Sequence, residues 1–213
     1  ALDYKDYIEK DDFLKELEES PERFCDAKAF IHMGACSSTT ELDASFLVRN
    51  NFEYTKILAD YCLFNEIRFI YASSAATYGN GKKGYKDDES QVPTLLPLNP
   101  YGYSKQLFDR WALQQKRFPP QWVGLKFFNV YGPNEYHKNR MASVVYHAFH
   151  QAKTNGRIEL FQSHRPDFED GKQLRDFIYV KDAVKIVHFF VNHPHLSGIF
   201  NVGTGVARSF ADL

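Results

Sequence analysis

The chain has 213 residues, of which 44% are hydrophobic and 16% aromatic, and its formal net charge is −1. This composition suffices for one packed core and one or two domains, and it shows no basic surplus for binding nucleic acid or an anionic membrane. No apolar run approaches the roughly 18 residues that a membrane-spanning helix needs. The charged first twelve residues lack the apolar core of a signal peptide.

Three cysteines, Cys25, Cys36 and Cys62, form no CxxC pair and no regular framework. We therefore expect reduced thiols and a location in the cytoplasm. The eight histidines are scattered, and none pairs with another histidine or a cysteine at zinc-finger spacing, so no metal site is predicted.

Strand-like and helix-like segments alternate in the first half of the chain. Apolar runs predict strands over 27–34 and 67–74, and a helix is predicted between them over 41–63. The apolar stripe of this helix consists of Phe46, Asn50, Tyr54 and Ile57. Residues 79–100 are rich in Gly, Lys, Asp and Pro, so we expect a long loop that is functional or mobile.

The same alternation continues to the end of the chain. We predict a helix over 101–117, a strand over 122–129, a helix over 141–152, a strand feeding a helix over 177–191, and a strand over 198–205. We interpret Asp182 as the cap of the last helix and the final Gly-Thr-Gly as a strand-to-helix turn. This order is typical of an α/β protein with a doubly wound, Rossmann-type parallel sheet.

Small or polar residues follow three of the predicted strands at their carboxyl ends. They are residues 34–37, 73–75 and 129–132. Because open parallel sheets bind ligands beyond the carboxyl ends of their strands, these residues predict the position of a site.

The segment YGYSK, residues 101–105, places a phenol and an ammonium one helical turn apart. A phenol has an ordinary pKa of about 10, and a neighbouring Lys105 cation would lower the pKa of Tyr101. Ser74, at the end of a predicted strand, supplies a hydroxyl that supports the phenolate. Together the three side chains would move a proton on and off an alcohol, and such a device works with a hydride acceptor. Alone, a Tyr-x-x-x-Lys pair is also common on ordinary helix surfaces.

Two flanking motifs favour a functional interpretation of the Tyr101–Lys105 pair. YASSAATYG (71–79) lies upstream and FFNVYGP (127–133) lies downstream, and with them the chain resembles the extended short-chain dehydrogenase/reductase family, which acts on nucleotide-linked sugars. GACSSTTELD (34–43) and GPNEYHK (132–138), followed by MASV, resemble its ADP-heptose 6-epimerase branch. The resemblance covers nearly the whole chain.

The resemblance implies an NADP-dependent isomerase. It would invert C6 of the heptose in ADP-D-glycero-β-D-manno-heptose by transient oxidation and re-reduction, as a step of lipopolysaccharide core precursor synthesis in the cytoplasm. It also implies a smaller substrate-binding domain and a homo-oligomer. We expect residues 1–130 to belong to the NADP-binding domain, 131–175 mainly to the substrate-binding domain, and 176–213 to both.

The resemblance also implies a role for each matching residue. Tyr101 would be one acid/base, supported by Lys105 and Ser74, and Lys138 would be the second, on the opposite side of the sugar carbon. Cofactor contacts would come from Lys10, Met33, Gly34, Ala35, Cys36, Ser37, Asn50, Lys105 and Val130. Substrate contacts would come from Ser74, Asn129, Arg140, His147, Phe161, Gln162, Ser163, His164 and Arg175. The chain departs from the family at Met33, where Glu is frequent, and at Arg140, where a smaller residue is usual.

Each assignment has a structural alternative. Lys138 would be a loop lysine in solvent, and Arg175 would form an ion pair with Asp176. Asn50 would bond the backbone within the core, and His147 would be a core histidine whose hydrogen bonds are satisfied.

The rival functions are a UDP-sugar 4-epimerase and a relative that binds a nucleotide sugar without catalysis. A dehydratase is disfavoured because Ala75-Ala76 stands where dehydratases have Asp-Glu.

The glycine-rich dinucleotide fingerprint between a first strand and a first helix is absent. We therefore expect that the N-terminal and C-terminal parts of the family fold lie outside this chain. The choice of NADP over NAD rests on the resemblance alone.

Overall fold

The computed structural model describes residues 4–163, 166 and 169–212. The helices are α1 (Lys10–Glu19), α2 (Ala44–Leu47), α3 (Tyr54–Phe64), α4 (Pro100–Gln114), α5 (Val144–Asn155) and α6 (Val180–Asn192). The strands are β1 (Ala29–His32), β2 (Arg68–Ser74), β3 (Trp122–Phe127), β4 (Asn129–Tyr131), β5 (Leu174–Tyr179), β6 (Gly198–Val202) and β7 (Ala207–Ser209).

Four strands form a parallel sheet in the order β1-β2-β3-β6, and β4, β5 and β7 form a smaller sheet. In the smaller sheet β5 lies parallel to β4 and antiparallel to β7. The parallel sheet and its connecting helices confirm the predicted α/β, Rossmann-type fold. Residues 176–213 contribute β6 to the parallel sheet, and β7 and most of β5 to the smaller sheet. The domain boundaries themselves stay a prediction.

The parallel sheet is buried on both faces, as its alternating side chains show. In β2, Phe69 and Tyr71 pack into one cluster with Leu58 and Phe108, whereas Ile70 packs into a second cluster. The second cluster also contains Val123, Leu125, Ile178, Ala183, Phe190 and Val202. Side chains of a strand point alternately to opposite faces, so continuous apolar runs such as 69–72 fit a strand covered on both sides.

The predicted apolar stripe of the helix over 41–63 is wrong by one position. Phe46 and Ile57 are exposed by 37% and 39%, whereas Leu47, Asn51 and Leu58 are buried. A π-helical turn over Val48–Glu53 also joins α2 to α3. The true buried stripe contains polar residues whose hydrogen bonds are satisfied inside the protein, and counting apolar residues selected the neighbouring stripe.

Two predictions about helix ends are also wrong. Helix α6 begins at Val180 with Tyr179 as its N-cap, and Asp182 lies in the first turn, where its carboxylate pairs with Lys185 at 2.9 Å. The glycine turn over 203–205 leads into β7 and not directly into a helix, because its backbone is held by the carboxylate of Asp176.

The loop over 79–100 is anchored to β6 at several points. Asp87 accepts a hydrogen bond from the backbone of Asn201 at 3.2 Å, and Glu89 accepts one from the backbone of Ile199 at 3.0 Å. The Tyr78 hydroxyl donates to Asn201 Oδ1 at 2.8 Å. These contacts fix the loop along the edge of the sheet.

Within the described ranges, none of the helices combines the length and the apolar character needed to cross a bilayer.

Candidate active site

Helix α4 carries the predicted tyrosine and lysine on its buried face. The Asn99 side chain caps the helix by accepting a hydrogen bond from Gly102 N at 2.8 Å, and Pro100 occupies its first turn. The predicted face of Tyr101, Lys105, Phe108 and Ala112 is confirmed, since all four are buried. A Cβ added to Gly102 would lie 2.9 Å from the Ala76 carbonyl, so the helix packs closely against the end of β2.

Strand β2 ends at Ser74, whose side chain contacts the phenol of Tyr101. Ser74 ends the strand and caps the short 3₁₀ turn Ala75–Tyr78, where its hydroxyl accepts a hydrogen bond from Ala76 N at 3.1 Å. Burial raises the pKa of Tyr101, and a polar contact with the Ser74 side chain opposes this rise. The expected net lowering of the Tyr101 pKa is therefore not found, because desolvation is the largest influence.

The Lys105 ammonium lies at the same edge of the sheet. It is 4% exposed and donates to the Ala72 carbonyl at 2.9 Å. Burial lowers the pKa of Lys105 to about 8, while the charges of Asp109 and Cys36 oppose that change. The amine is therefore close to its titration point near neutral pH.

The loop after β1 is tied to α4 by a residue that the sequence analysis missed. Asn51 accepts a hydrogen bond from Cys36 N at 2.9 Å and donates to Cys36 O at 3.0 Å. Its amide also donates to Ser104 Oγ at 2.9 Å, and the predicted cofactor residue Asn50 donates to Asn51 Oδ1 at 3.0 Å. The signal available in the sequence was the spacing of Asn51 and Thr55, which lie four positions apart on the stripe between Leu47 and Leu58.

The other predicted cofactor residues are less closely grouped. Met33 is 40% exposed, and a Cβ on Gly34 would meet only the His32 ring, at 3.7 Å, so this loop presents an open backbone surface. Val130 lies in β4 and packs against the core. The Lys10 ammonium pairs with Asp11 in solvent, and its role in the site stays a prediction.

The second predicted acid/base, Lys138, lies in a 3₁₀ turn over Tyr136–Met141. Its side chain is 47% exposed and its Nζ lies 4.0 Å from the Glu135 carboxylate. Glu135, which the sequence analysis missed, accepts hydrogen bonds from Gly132 N at 3.0 Å and from Ser143 N at 2.7 Å. Among the described residues no hydrogen bond or ion pair joins Lys138 to Tyr101, so their shared action stays a prediction.

Three predicted substrate residues line one pocket. Its volume is about 470 Å³. The pocket is lined by Arg140, Ala142, Val144, His147, Ala148, Gln151, Ile158, Glu159, Leu160, Phe161 and Phe210. Phe161 packs against Phe210 at 4.9 Å between ring centroids, and Phe210 was not foreseen. The Ser74–Tyr101–Lys105 group does not line this pocket.

Arg175 lies beside this pocket and is not paired with Asp176. Its guanidinium carbon is 5.6 Å from the centre of the Phe210 ring. The Asp176 carboxylate instead accepts hydrogen bonds from the backbone of Thr204 and Gly205 at 2.9 and 2.8 Å. The proposed alternative for Arg175, an ion pair with its neighbour, is therefore wrong.

The remaining predicted substrate residues that the structure describes do not line the pocket. Asn129 donates to the Asp176 carbonyl at 3.0 Å, Gln162 is exposed, and Ser163 N donates to Asp170 at 2.7 Å. His164 lies outside the described residues. The part of the chain that the structure describes holds no group of three or more His, Cys, Asp or Glu that would bind a metal ion.

Comparison with known proteins adds independent information. A model of the NAD dependent epimerase/dehydratase family matches residues 8–203. The chain is 57% identical over 213 residues to a Fusobacterium nucleatum protein named ADP-L-glycero-D-manno-heptose-6-epimerase, and it covers 64% of that protein. It thus spans slightly under two thirds of that relative's length.

Solved structures agree with this fold. The Helicobacter pylori ADP-L-glycero-D-manno-heptose-6-epimerase superposes with a TM-score of 0.74 at 32% identity, over 87% of this chain and 55% of that one. The Thermus thermophilus UDP-glucose 4-epimerase in complex with NAD gives the same TM-score at 23% identity, over 96% and 63% of the two chains. The second likeness is one of fold alone.

Proposed function

Because this chain belongs to the NAD dependent epimerase/dehydratase family, we propose that it carries the catalytic residues of an ADP-L-glycero-D-manno-heptose 6-epimerase. The reaction is inversion of C6 in ADP-D-glycero-β-D-manno-heptose. The observation that carries the proposal is the burial of Tyr101 and Lys105 on one face of α4, beside Ser74 at the end of β2. The similarity to the Fusobacterium protein supports the choice of substrate.

The chain's own residues fit a nicotinamide dinucleotide, and we propose NADP. The backbone over 33–37 is open around Gly34 and is held in place by the buried amide of Asn51. Lys105 adds a buried ammonium at the adjacent strand end. Held there, the cofactor would supply the transfer of a hydride from the sugar carbon and its return. The family name supports a nicotinamide cofactor, and the preference for the 2′-phosphate rests on the resemblance.

Tyr101 and Ser74 move the proton of the reacting alcohol. The phenolate oxygen of Tyr101 takes the hydroxyl proton as the carbonyl forms and becomes a neutral phenol, and the Ser74 hydroxyl stabilises the phenolate before that transfer. A charged Lys105 favours the phenolate and so acts against the effect of burial.

Lys138 supplies the second proton. Inversion of the carbon presents the oxygen on the opposite face, so a single phenol cannot serve both stereoisomers. The Lys138 ammonium, half-exposed on a turn held by hydrogen bonds to Glu135, would protonate the oxygen there and become a neutral amine. This step requires the Lys138 side chain to leave Glu135, whose nearest oxygen is 4.0 Å away.

Two further expectations accompany the activity. The thiols Cys25, Cys36 and Cys62 are free, which supports a reducing compartment such as the cytoplasm. Self-association rests on the resemblance, and sedimentation at several protein concentrations tests it.

The decisive test offers two substrates in parallel. Full-length protein with NADP is incubated with ADP-D-glycero-β-D-manno-heptose and, separately, with UDP-galactose, and product stereochemistry is determined by NMR. We expect inversion at C6 of the heptose and no change in UDP-galactose. Conversion of UDP-galactose alone would support the 4-epimerase, and tight binding without conversion of either would support a non-catalytic relative.

A further inference from the structure

A buried ion pair joins α4, which carries Tyr101 and Lys105, to β3, the strand next to β2. Lys126, in β3, and Asp109, in α4, are joined by a contact of 2.8 Å, and their side chains are 1% and 0% exposed. Two charges without access to water are expensive to desolvate unless every polar atom is satisfied. The hydrogen-bond partners of the pair are therefore informative.

The Asp109 carboxylate receives three donors. Oδ2 accepts from Ser73 Oγ at 2.7 Å and from Lys126 Nζ at 2.8 Å, and Oδ1 accepts from the Tyr71 hydroxyl at 3.1 Å. Since a lysine ammonium can only donate, this arrangement holds Asp109 as a carboxylate. Burial and the Asp109 charge raise the pKa of Tyr71, so its hydroxyl keeps the proton it donates.

The Lys126 ammonium continues the network to the end of β2. It donates to Thr77 Oγ1 at 2.6 Å, and Thr77 Oγ1 in turn donates to the carbonyl of Ser74 at 2.8 Å. The Lys126 ammonium also lies 5.1 Å from the centre of the Tyr78 ring. The pair thus links α4, which carries Tyr101, to the turn that positions Ser74.

Asp109 also lies one helical turn after Lys105 on the same buried face. The hydrogen bond of Lys105 to the Ala72 carbonyl involves a neutral partner. The titratable groups that face Lys105 are His32 and Cys36 near the end of β1, with Tyr101 and Asp109 on α4, and Lys126 of β3 lies behind Asp109. Of these, Asp109 is the group held as an anion.

From this geometry we propose that Asp109 is a positioning residue that keeps the Lys105 ammonium charged, and that Lys126 fixes Asp109 in its ionised form while locking Ser74 to α4. The inference deepens the proposed function, because a charged Lys105 is what the Tyr101 phenolate requires. The influence of Asp109 opposes the lowering of the Lys105 pKa by burial.

Titration of Lys105 tests the inference without substrate or cofactor. The protein is labelled with [6-¹³C]lysine, and the Lys105 signal is identified by its loss in Lys105→Met. We expect a midpoint near pH 8 in the unaltered protein and a proton affinity at least about tenfold lower in Asp109→Asn, since a tenfold change corresponds to a change of one in pKa. Asp109→Glu, which keeps the charge, should stay close to the unaltered protein.

Asp109→Asn leaves Lys126 buried without its partner and can prevent folding. The double variant Asp109→Asn/Lys126→Met removes both charges, and we expect the same fall in the proton affinity of Lys105. An unchanged Lys105 midpoint in a folded variant that lacks Asp109 overturns the proposal. In active protein, the alkaline limb of the kcat/KM profile should also move to lower pH in that variant. The titration uses no substrate, so its result does not depend on which sugar the protein acts on. The failure of this inference can therefore be distinguished from the failure of the proposed function.

Discussion

Asn51 and Ser104 lie 53 residues apart in the chain, yet the Asn51 amide donates to Ser104 Oγ at 2.9 Å. Ser104 lies next to Lys105 on α4, and Asn51 also holds both backbone groups of Cys36. One buried amide therefore connects the proposed cofactor loop to the helix that carries Tyr101 and Lys105, the proposed catalytic residues. The two parts of the site are aligned by the core and not only by a bound ligand.

Asn51→Ala should destabilise the protein. It leaves the Cys36 N–H and carbonyl without partners, and an unsatisfied buried polar group costs about 1–3 kcal/mol. Urea denaturation measures the change in the free energy of unfolding. Asn192→Ala is the matched control, because Asn192 is exposed and contacts the His188 ring, and it should change the free energy by less than about 0.5 kcal/mol. Equal effects of the two changes would refute the role of Asn51.

Tyr101→Phe should reduce kcat by at least about 100-fold, the usual contribution of a positioned proton carrier. The ring still fills its buried position, so the circular dichroism spectrum and the melting temperature should stay close to the starting values. Tyr103→Phe, on the same helix but 49% exposed, is the control and should retain activity. Turnover near the starting rate in Tyr101→Phe would remove Tyr101 from the mechanism.

Lys138→Met should also lower kcat by about 100-fold, because no amine remains to protonate the second face of the sugar carbon. Steady-state kinetics in both reaction directions measure the loss. Lys153→Met, at the exposed end of α5, is a charge-matched control that should leave kcat unchanged. If Lys138→Met turns over normally, a single proton carrier suffices and the two-base scheme is wrong.

His32→Gln should make the free energy of unfolding fall less steeply as the pH drops below 6.5. Burial lowers the pKa of His32 to about 4 from an ordinary 6.5. Between these values the unfolded chain binds a proton that the folded protein does not, so stability falls as pH drops from 6.5 to 4. The loss is about 3 kcal/mol for a shift of this size. Urea denaturation of both proteins at pH 7 and pH 4.5 measures the difference, and identical slopes with pH would show that His32 does not titrate in this way.

The sequence predicted the fold and the catalytic helix because both depend on local pattern. Alternating apolar runs identified the four strands of the parallel sheet, and the spacing of Tyr101 and Lys105 identified their shared face. Ser74 was found because a strand end in a parallel sheet is a predictable place for a ligand.

Residues whose role depends on distant partners were missed. Asn51 and Asp109 each bond groups from other parts of the chain, and a polar residue in an apolar context carries no sign of its partner. Glu135 was missed although its partners, Gly132 and Ser143, lie close to it in the sequence. The apolar stripe of the second predicted helix was misplaced for the same reason, since it passed over Asn51 and Thr55. The Tyr101 pKa was misjudged because the extent of burial is not visible in a helical spacing.

We propose that the Tyr101 hydroxyl and the Lys138 amine act on the same sugar carbon. A crystal structure of the full-length protein with ADP-heptose and NADP tests it most directly. We predict that Tyr101 Oη and Lys138 Nζ each reach within about 3.2 Å of the positions that the C6 oxygen takes in the two stereoisomers. A complex in which Lys138 stays beside Glu135 and away from the heptose would contradict the account.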